Sequence, residues 1–105
     1  MNIWALNKDN AIKSLLLQLE SHFQEGKYLL VDRAEDDFRS IRLMGLETSD
    51  IELYIYCFGQ SEDHYGVHIE YPNLNDTNFS DTLEIHEDLS FDQLSNIIAV
   101  NFGSI

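Results

Sequence analysis

Cysteine and positive charge are scarce in this chain of 105 residues. A single cysteine, Cys57, excludes an internal disulfide framework and a metal site built from several cysteines. No apolar run approaches the roughly 20 residues that a membrane-spanning helix needs. Residues 1–6 do not show a basic segment followed by a long apolar one, so we expect no signal peptide. The length predicts one domain, residues 1–105, and these absences together predict a cytoplasmic protein.

The shortage of positive charge is uneven along the chain. Six Lys and Arg stand against nineteen Asp and Glu, which gives a formal net charge of −13. All six cations lie in the first 42 residues, and the last 63 residues hold twelve acids and no Lys or Arg. Direct binding to nucleic acid or to an anionic membrane surface is therefore disfavoured. Such a distribution attracts a basic partner, and a surface shaped by solubility alone is the alternative explanation.

Hydrophobic periodicity predicts a helix near each end of the chain. Residues 8–25 carry an apolar stripe at helical spacing, and Asn7 or Asp9 can cap its start. The stripe consists of Ile12, Leu16, Leu19 and Phe23, widened by Leu15. A second helix is predicted to begin at Ser90, whose hydroxyl forms a capping box with Gln93.

Between the helices the apolar period changes to two, which predicts five strands. Their expected ranges are 28–33, 39–47, 51–58, 64–71 and 81–87. Short connections between them suit antiparallel hairpins. The predicted fold class is α+β: an antiparallel β-meander of about five strands, with an N-terminal and a C-terminal helix packed on one face.

Alternation along the strands predicts two chemically different faces of the sheet. Registers centred on Ser49 and Ser61 place apolar pairs under the helices. The expected pairs are Leu43 with Ile55, Leu53 with Ile69 and Ile55 with Val67, while on the other face Tyr56 lies opposite Gly66, which leaves room for the ring. That second face is expected to collect Arg42, Met44, Tyr54, Tyr56, His64, Gly66, His68, Glu70, Glu84 and His86.

The histidines on this second face raise the question of a metal site. His64 and His68 would lie about 13 Å apart on one strand, at ~3.3 Å per residue, which is too far to share an ion. Only His68, Glu84 and His86 could converge as three ligands. Residues 73–84 carry oxygen ligands at the spacing of a calcium loop, but an asparagine stands where that loop requires glycine. Histidines on an open sheet are usually solvated, so we expect no metal and no cofactor.

Nucleophilic chemistry has little support in the sequence. Cys57 is expected on the core face, where burial keeps a thiol inert. The chain contains no Gly-x-Ser-x-Gly, no Gly-rich phosphate loop and no His-Glu-x-x-His motif. We therefore expect that the protein is not an enzyme; a small metal- or ligand-binding enzyme using the tyrosines and histidines of the second face is the less favoured alternative.

Acidic clusters at predicted loops, with aromatic residues nearby, indicate a surface for a basic protein. Aromatic anchors supply buried area, and carboxylates speed encounter and fix orientation. Ordinary solvated turns are the alternative explanation for each separate cluster. The residues expected to contact the partner are Glu35, Asp36, Asp37, Tyr54, Tyr56, Glu62, Asp63, His68, Asp76, Glu84, Glu87 and Asp88.

Over its whole length the chain resembles the small acidic immunity proteins of bacterial toxin–immunity systems, particularly those of contact-dependent growth inhibition. The resemblance lies in size, charge, an N-terminal helix, a meander with Tyr-Gly-Val-His-Ile-Glu at residues 65–70, and a short closing helix. It implies a cytoplasmic monomer that binds one cognate toxin domain in a one-to-one complex. The toxin would be a basic nuclease (RNase or tRNase), neutralised by occlusion of its active site or substrate cleft. An acidic adaptor or nucleic-acid mimic acting on another basic protein is the alternative.

Overall fold

The computed structural model describes residues 3, 6–22, 28–31, 37–45, 51–72 and 80–102. Within these residues the elements, in chain order, are α1 (Asn10–His22), β1 (Tyr28–Val31), β2 (Ser40–Gly45), β3 (Glu52–Tyr56), β4 (Tyr65–Pro72), β5 (Ser80–Leu89) and α2 (Phe91–Phe102). The strands form one sheet in the order β1-β2-β3-β4-β5, and every neighbouring pair is antiparallel. The predicted α+β meander is confirmed.

Each helix begins at a capping side chain that the sequence predicts. The Asp9 carboxylate accepts the Ala11 N–H at 3.0 Å, so Asp9 is the cap of α1. At the start of α2 the Gln93 N–H donates to the Ser90 hydroxyl at 3.2 Å, and the Ser90 N–H donates to the Gln93 side-chain oxygen at 2.9 Å. With 13 and 12 residues, neither of these two described helices has the length and apolarity to cross a membrane.

The core lies between the two helices and one face of the sheet. Both helices contribute to a single cluster of buried side chains, so both pack on the same face. Full burial of one aliphatic side chain contributes about 1.5–3 kcal/mol, and this layer therefore supplies most of the favourable free energy of folding. Its members include Ile12, Leu15, Leu16 and Leu19 of α1, Leu94, Ile98 and Phe102 of α2, and Ile41, Leu43, Leu53, Ile55, Val67 and Ile69 of the strands.

The register between β3 and β4 is the predicted one, whereas that between β2 and β3 is displaced. The structure pairs Leu53 with Ile69, Ile55 with Val67 and Tyr56 with Gly66. In the neighbouring hairpin Leu43 pairs with Leu53, not with Ile55, because the pairing is centred one residue earlier than predicted. The displacement amounts to two residues on one strand, so every side chain keeps its predicted face.

The pairing of β4 with β5 contains two register shifts. The first lies between Tyr65 and Val67, and the second between Ile69 and Glu70. Each shift adds or removes one residue on one strand, which exchanges the faces to which its side chains point. The resulting pairs are Tyr65 with Leu89, Val67 with His86, His68 with Ile85, Ile69 with Glu84 and Glu70 with Thr82.

The shifts correct one predicted placement. Glu84 and His86 are opposite core-facing residues of β4, so they lie on the helix side of the sheet at its exposed edge. Ile85 lies opposite His68, on the other face. The prediction that Glu84 and His86 share a face with His68 is therefore wrong, and the bulged pairing of the edge strand is the physical reason.

Candidate partner-binding site

The face of the sheet opposite the helices, here called the open face, carries a stack of three aromatic rings. The Tyr54 and Tyr56 ring centroids lie 5.6 Å apart, and those of Tyr56 and Phe58 lie 4.8 Å apart, with interplanar angles of 30° and 25°. An arginine covers each end of this aromatic ladder. The Arg42 guanidinium lies 4.7 Å from the Tyr54 centroid, and the Arg39 guanidinium lies 5.2 Å from that of Phe58. Stacking and cation–π contacts fix the orientation of all three rings.

Both arginines of the ladder are paired with acids of the same chain. Arg42 donates to the Glu70 carboxylate at 2.5 Å, and these side chains are only 12% and 9% exposed. Arg39 donates to the two carboxylate oxygens of Asp37 at 3.0 and 3.2 Å. These hydrogen bonds lower the pKa of Asp37. The positive charge of each arginine is therefore offset internally, and Asp37 is engaged within the fold.

His68 joins the aromatic ladder to the buried ion pair. Its ring is edge-on to Tyr56, with centroids 5.2 Å apart, and tilted against Tyr54 at 5.6 Å. Its Nδ1 atom lies 3.9 Å from the Glu70 carboxylate. The His68 ring is thus held between the two tyrosine rings and the Glu70 carboxylate.

The three-ligand metal site that the sequence left open does not assemble. His68 lies on the open face, whereas Glu84 and His86 lie on the helix side of the sheet. Among the described residues, no group of three His, Cys, Asp or Glu side chains is placed to hold a metal ion. The calcium-like spacing falls mostly on residues 73–79, which lie outside the described residues.

Tyr56 links β3 to β5 across Gly66. Its ring lies over Gly66, where a Cβ atom would come within 2.6 Å of the phenol oxygen, so the predicted need for room is confirmed. The phenol donates a hydrogen bond to Glu87, and burial together with this bond raises the pKa of Tyr56 to about 12. Because Tyr56 is only 4% exposed, its side chain connects β3 to β5 inside the fold and offers little surface to a partner.

The turn after β3 is bound to the end of β5 by side-chain hydrogen bonds. The Gln60 amide donates to Glu87 at 2.6 Å, and the Asp88 N–H donates to the Gln60 side-chain oxygen. The Ser61 N–H donates to the Asp88 carboxylate at 2.9 Å, which lowers the pKa of Asp88. Asp88 has a left-handed backbone, with φ of 54°. Consecutive side chains of a regular strand point to opposite faces, but here Glu87 and Asp88 both line one groove.

That groove has a volume of about 650 Å³ and opens beside the aromatic ladder. Two further carboxylates, Glu62 and Asp63, are exposed in the adjoining turn. We call the four acids Glu62, Asp63, Glu87 and Asp88 the acidic end of the sheet. The groove is lined by Tyr56, Phe58, Gly59, Gln60, Ser61, His68, Glu87 and Asp88.

The structure brings together most of the described residues that the sequence singled out as partner-binding. Of the twelve predicted residues, nine are described: Tyr54, Tyr56, His68, Glu87 and Asp88 form or border the groove, and Glu62 and Asp63 lie beside it. Glu84 lies on the other side of the sheet, and Asp37 pairs with Arg39. The remaining three, Glu35, Asp36 and Asp76, lie outside the described residues.

Sequence reasoning missed the residues that connect distant parts of the site. Arg42 and Glu70 both lie on the predicted face with Tyr54, so alternation offered a signal for their ion pair. No local pattern indicates that Gln60 meets Glu87, 27 residues away. Phe38, which lies 5.4 Å from the Arg39 guanidinium, sits in a turn before β2 and belongs to no periodic pattern.

Cys57 lies near this end of the sheet and is partly buried against the core, as predicted. Burial raises the pKa of its thiol, and the thiol lies 3.5 Å from the Arg39 carbonyl oxygen, to which it donates. A raised thiol pKa disfavours the nucleophilic thiolate.

The groove and the acidic end offer carboxylate oxygens beside apolar ring edges. Carboxylates accept strong hydrogen bonds from lysine and arginine side chains, and apolar rings contribute buried area. The arrangement therefore suits recognition of a basic protein surface. A search among protein-family models, curated proteins and solved structures finds no match to this chain.

Proposed function

We propose that this protein binds a basic toxin domain and neutralises it, as the immunity protein of a bacterial toxin–immunity pair. The toxin is a nuclease, and the inhibitor blocks its active site or substrate cleft without catalysis. The protein acts in the cytoplasm of the cell it protects, as a monomer in a one-to-one complex.

The observation that carries this proposal is the acidic end itself. Its four carboxylates lie in the last 63 residues of the chain, which contain no Lys or Arg. A nuclease must hold phosphates, so its substrate cleft is basic and complementary to such a surface. Electrostatic attraction of this kind accelerates association and suppresses partners of the wrong charge.

Rigidity supports the proposal as well. Hydrogen bonds from Gln60 and Ser61 hold Glu87 and Asp88 in place before any partner arrives. Ordering flexible side chains on binding costs about 0.5–1.5 kcal/mol each, so a surface that is already ordered binds more tightly. Tight binding is what a cell needs from an inhibitor of a lethal nuclease.

The decisive experiment pairs this protein with toxin domains encoded next to its gene. We expect co-purification with one of them and loss of its nuclease activity when the two are mixed at micromolar concentration and low salt. If every neighbouring toxin domain keeps its activity, the proposal is wrong. Inhibition of several unrelated basic proteins would instead support the acidic adaptor or nucleic-acid mimic.

A pair of charge-reversal variants tests the role of the acidic end. Glu62→Lys with Asp63→Lys should slow association with the toxin about tenfold and change dissociation by less than about twofold, because exposed charges act on encounter. The matched control is Glu20→Lys with Glu84→Lys, which changes the net charge equally away from the acidic end. Equal slowing by both pairs would mean that net charge alone, without this surface, drives association.

A further inference from the structure

Among the described residues, the aromatic side chains with the largest exposed fractions are two phenylalanines. Phe38 is 52% exposed and Phe58 is 36% exposed, whereas Tyr56 is 4% exposed. The Arg39 guanidinium lies between them, 5.4 Å from the Phe38 centroid and 5.2 Å from that of Phe58. We call Phe38, Arg39 and Phe58 the phenylalanine patch.

Two members of the patch, Arg39 and Phe58, are held in position before any partner binds. Arg39 is held by two hydrogen bonds to the Asp37 carboxylate. The Asp37 carbonyl accepts hydrogen bonds from the backbone N–H and the hydroxyl of Ser40, at 3.1 and 2.9 Å. Phe58 stacks on Tyr56. Ordered aromatic and arginine side chains are the residues in which binding energy concentrates at protein interfaces.

The patch and the acidic end lie at the same end of the sheet. Ser40, which directly follows Arg39, pairs with Tyr56 at the end of β3, so Phe38 lies at the end of the sheet where Phe58 begins the turn that carries Glu62 and Asp63. Phe58 also lines the groove that contains Glu87 and Asp88. Apolar rings and carboxylates are therefore neighbours on one continuous surface.

The groove suits a long cationic side chain. The methylene groups of a lysine or arginine can pack on the edge of the Phe58 ring, while the charged head meets the carboxylates of Glu87 and Asp88. The groove lining that the structure describes runs from residue 56 to residue 88, within the part of the sequence that has no Lys or Arg.

We infer that this end of the sheet docks a protein segment in which apolar side chains are flanked by arginines or lysines. The apolar side chains cover the phenylalanine patch, and a flanking cationic side chain enters the groove. The inference takes the basic character of the partner from the proposed function. It adds that the segment of the partner that binds here has apolar side chains at its centre. A nucleic acid is repelled by the same carboxylates.

Peptides test the inference without any toxin. The first probe is a hexapeptide with two central leucines between pairs of arginines; the second has glycines at the centre, and the third has glutamates in place of the arginines. Chemical-shift titration of the isotope-labelled protein at low ionic strength reports where each peptide binds. We expect saturable shifts at the amides of Phe38, Phe58 and Ser61 with the first probe, about fivefold weaker binding of the second, and no saturation with the third.

Matched variants separate the patch and the groove from the rest of the surface. Phe58→Ser should weaken the leucine peptide about threefold to fivefold and abolish its advantage over the glycine peptide. Its control is Val100→Ser, since Val100 is 76% exposed on α2. Glu87→Gln should weaken both arginine peptides about threefold, and its control Glu84→Gln should leave them unchanged. Phe38→Ser provides a second test of the patch if Phe58→Ser does not fold.

The inference is overturned if leucine and glycine peptides bind equally, or if the shifts centre on α2 or on Glu84. Either result leaves the toxin experiment of the proposed function untouched, because no toxin takes part in the titration. Conversely, binding of the leucine peptide together with failure to neutralise any toxin would support the docking surface and reject only the immunity function.

Discussion

Replacing Gly66 with alanine tests whether the packing of the Tyr56 ring between β3 and β5 stabilises the fold. The new Cβ atom would lie 2.6 Å from the phenol oxygen of Tyr56, with two ring carbons nearer still. The ring cannot move aside cheaply, because Tyr54 and Phe58 stack on its two sides and its hydroxyl is hydrogen-bonded to Glu87. The variant must therefore strain the packing or displace Tyr56.

The expected cost follows from opposing contributions. Overpacking a well-ordered site costs about 1–3 kcal/mol, and weakening the hydrogen bond to the Glu87 carboxylate adds about 1 kcal/mol. Alanine restricts the unfolded chain more than glycine does, which returns about 0.4–1 kcal/mol. We expect Gly66→Ala to lower the free energy of unfolding by about 2 kcal/mol. In urea, at about 1.5 kcal/mol per molar, the unfolding midpoint should fall by about 1.3 M.

Two companion variants make this result interpretable. Gly59→Ala introduces a methyl group into open space at φ of +73°, so it should cost about 1 kcal/mol from the backbone alone and leave Tyr56 in place. In a Tyr56→Ala background, Gly66→Ala should cost less than about 0.5 kcal/mol, because the obstructing ring is gone. The reasoning is refuted if Gly66→Ala costs the same with and without the Tyr56 ring.

Three further predictions concern the charged groups of the open face and the acidic end. Glu70→Leu deprives the buried Arg42 guanidinium of its carboxylate and should lower the free energy of unfolding by about 3 kcal/mol, whereas Glu70→Leu with Arg42→Leu should recover to within about 1 kcal/mol of the parent in urea. Folding raises the pKa of Tyr56 from 10.0 to about 12, so the protonated phenol contributes its full share of stability below pH 10.0 and loses it as the pH rises through about 12. The urea midpoint of Tyr56→Phe should therefore fall less steeply with rising alkaline pH than that of the parent protein. Folding lowers the pKa of Asp88 from its ordinary value of 3.8, so the ionised carboxylate contributes to stability above that value and loses this contribution as the pH falls through the lower folded value. In Asp88→Asn the urea midpoint should therefore decline less between about pH 5 and pH 2 than in the parent protein. An equal decline in both proteins would contradict this.

The regular part of the fold was predictable because its signals are local. The two-residue period of β3 and β4 fixes which side chains share a face, and the pairing of Tyr56 with Gly66 follows from the centre of the turn between them. Caps such as Asp9 and the Ser90–Gln93 box act within one helical turn, so they too are visible in the sequence. In each case the interacting groups are close along the chain or related by simple alternation.

The candidate site was less predictable because it depends on an irregular edge strand. The register shifts in the pairing of β5 put Glu84 on the helix side and Ile85 on the open face. The pattern of apolar and polar residues in β5 does not predict these shifts. Tyr56 was expected at the surface, yet its ring lies over Gly66 and its phenol is hydrogen-bonded to Glu87. Among the described aromatic side chains, those of Phe38 and Phe58 have the largest exposed fractions.

Four of the described carboxylates are held in two physically different ways, and the difference bears on function. Asp37 and Glu70 are paired with arginines, so their charges are offset within the fold. Glu87 and Asp88 accept their described hydrogen bonds from neutral donors, namely the Gln60 amide, the Tyr56 phenol and the Ser61 N–H. A neutral donor fixes the position of a carboxylate without cancelling its charge. The negative potential at the acidic end therefore persists for a partner, and its attraction of a basic protein should weaken as salt shortens the Debye length.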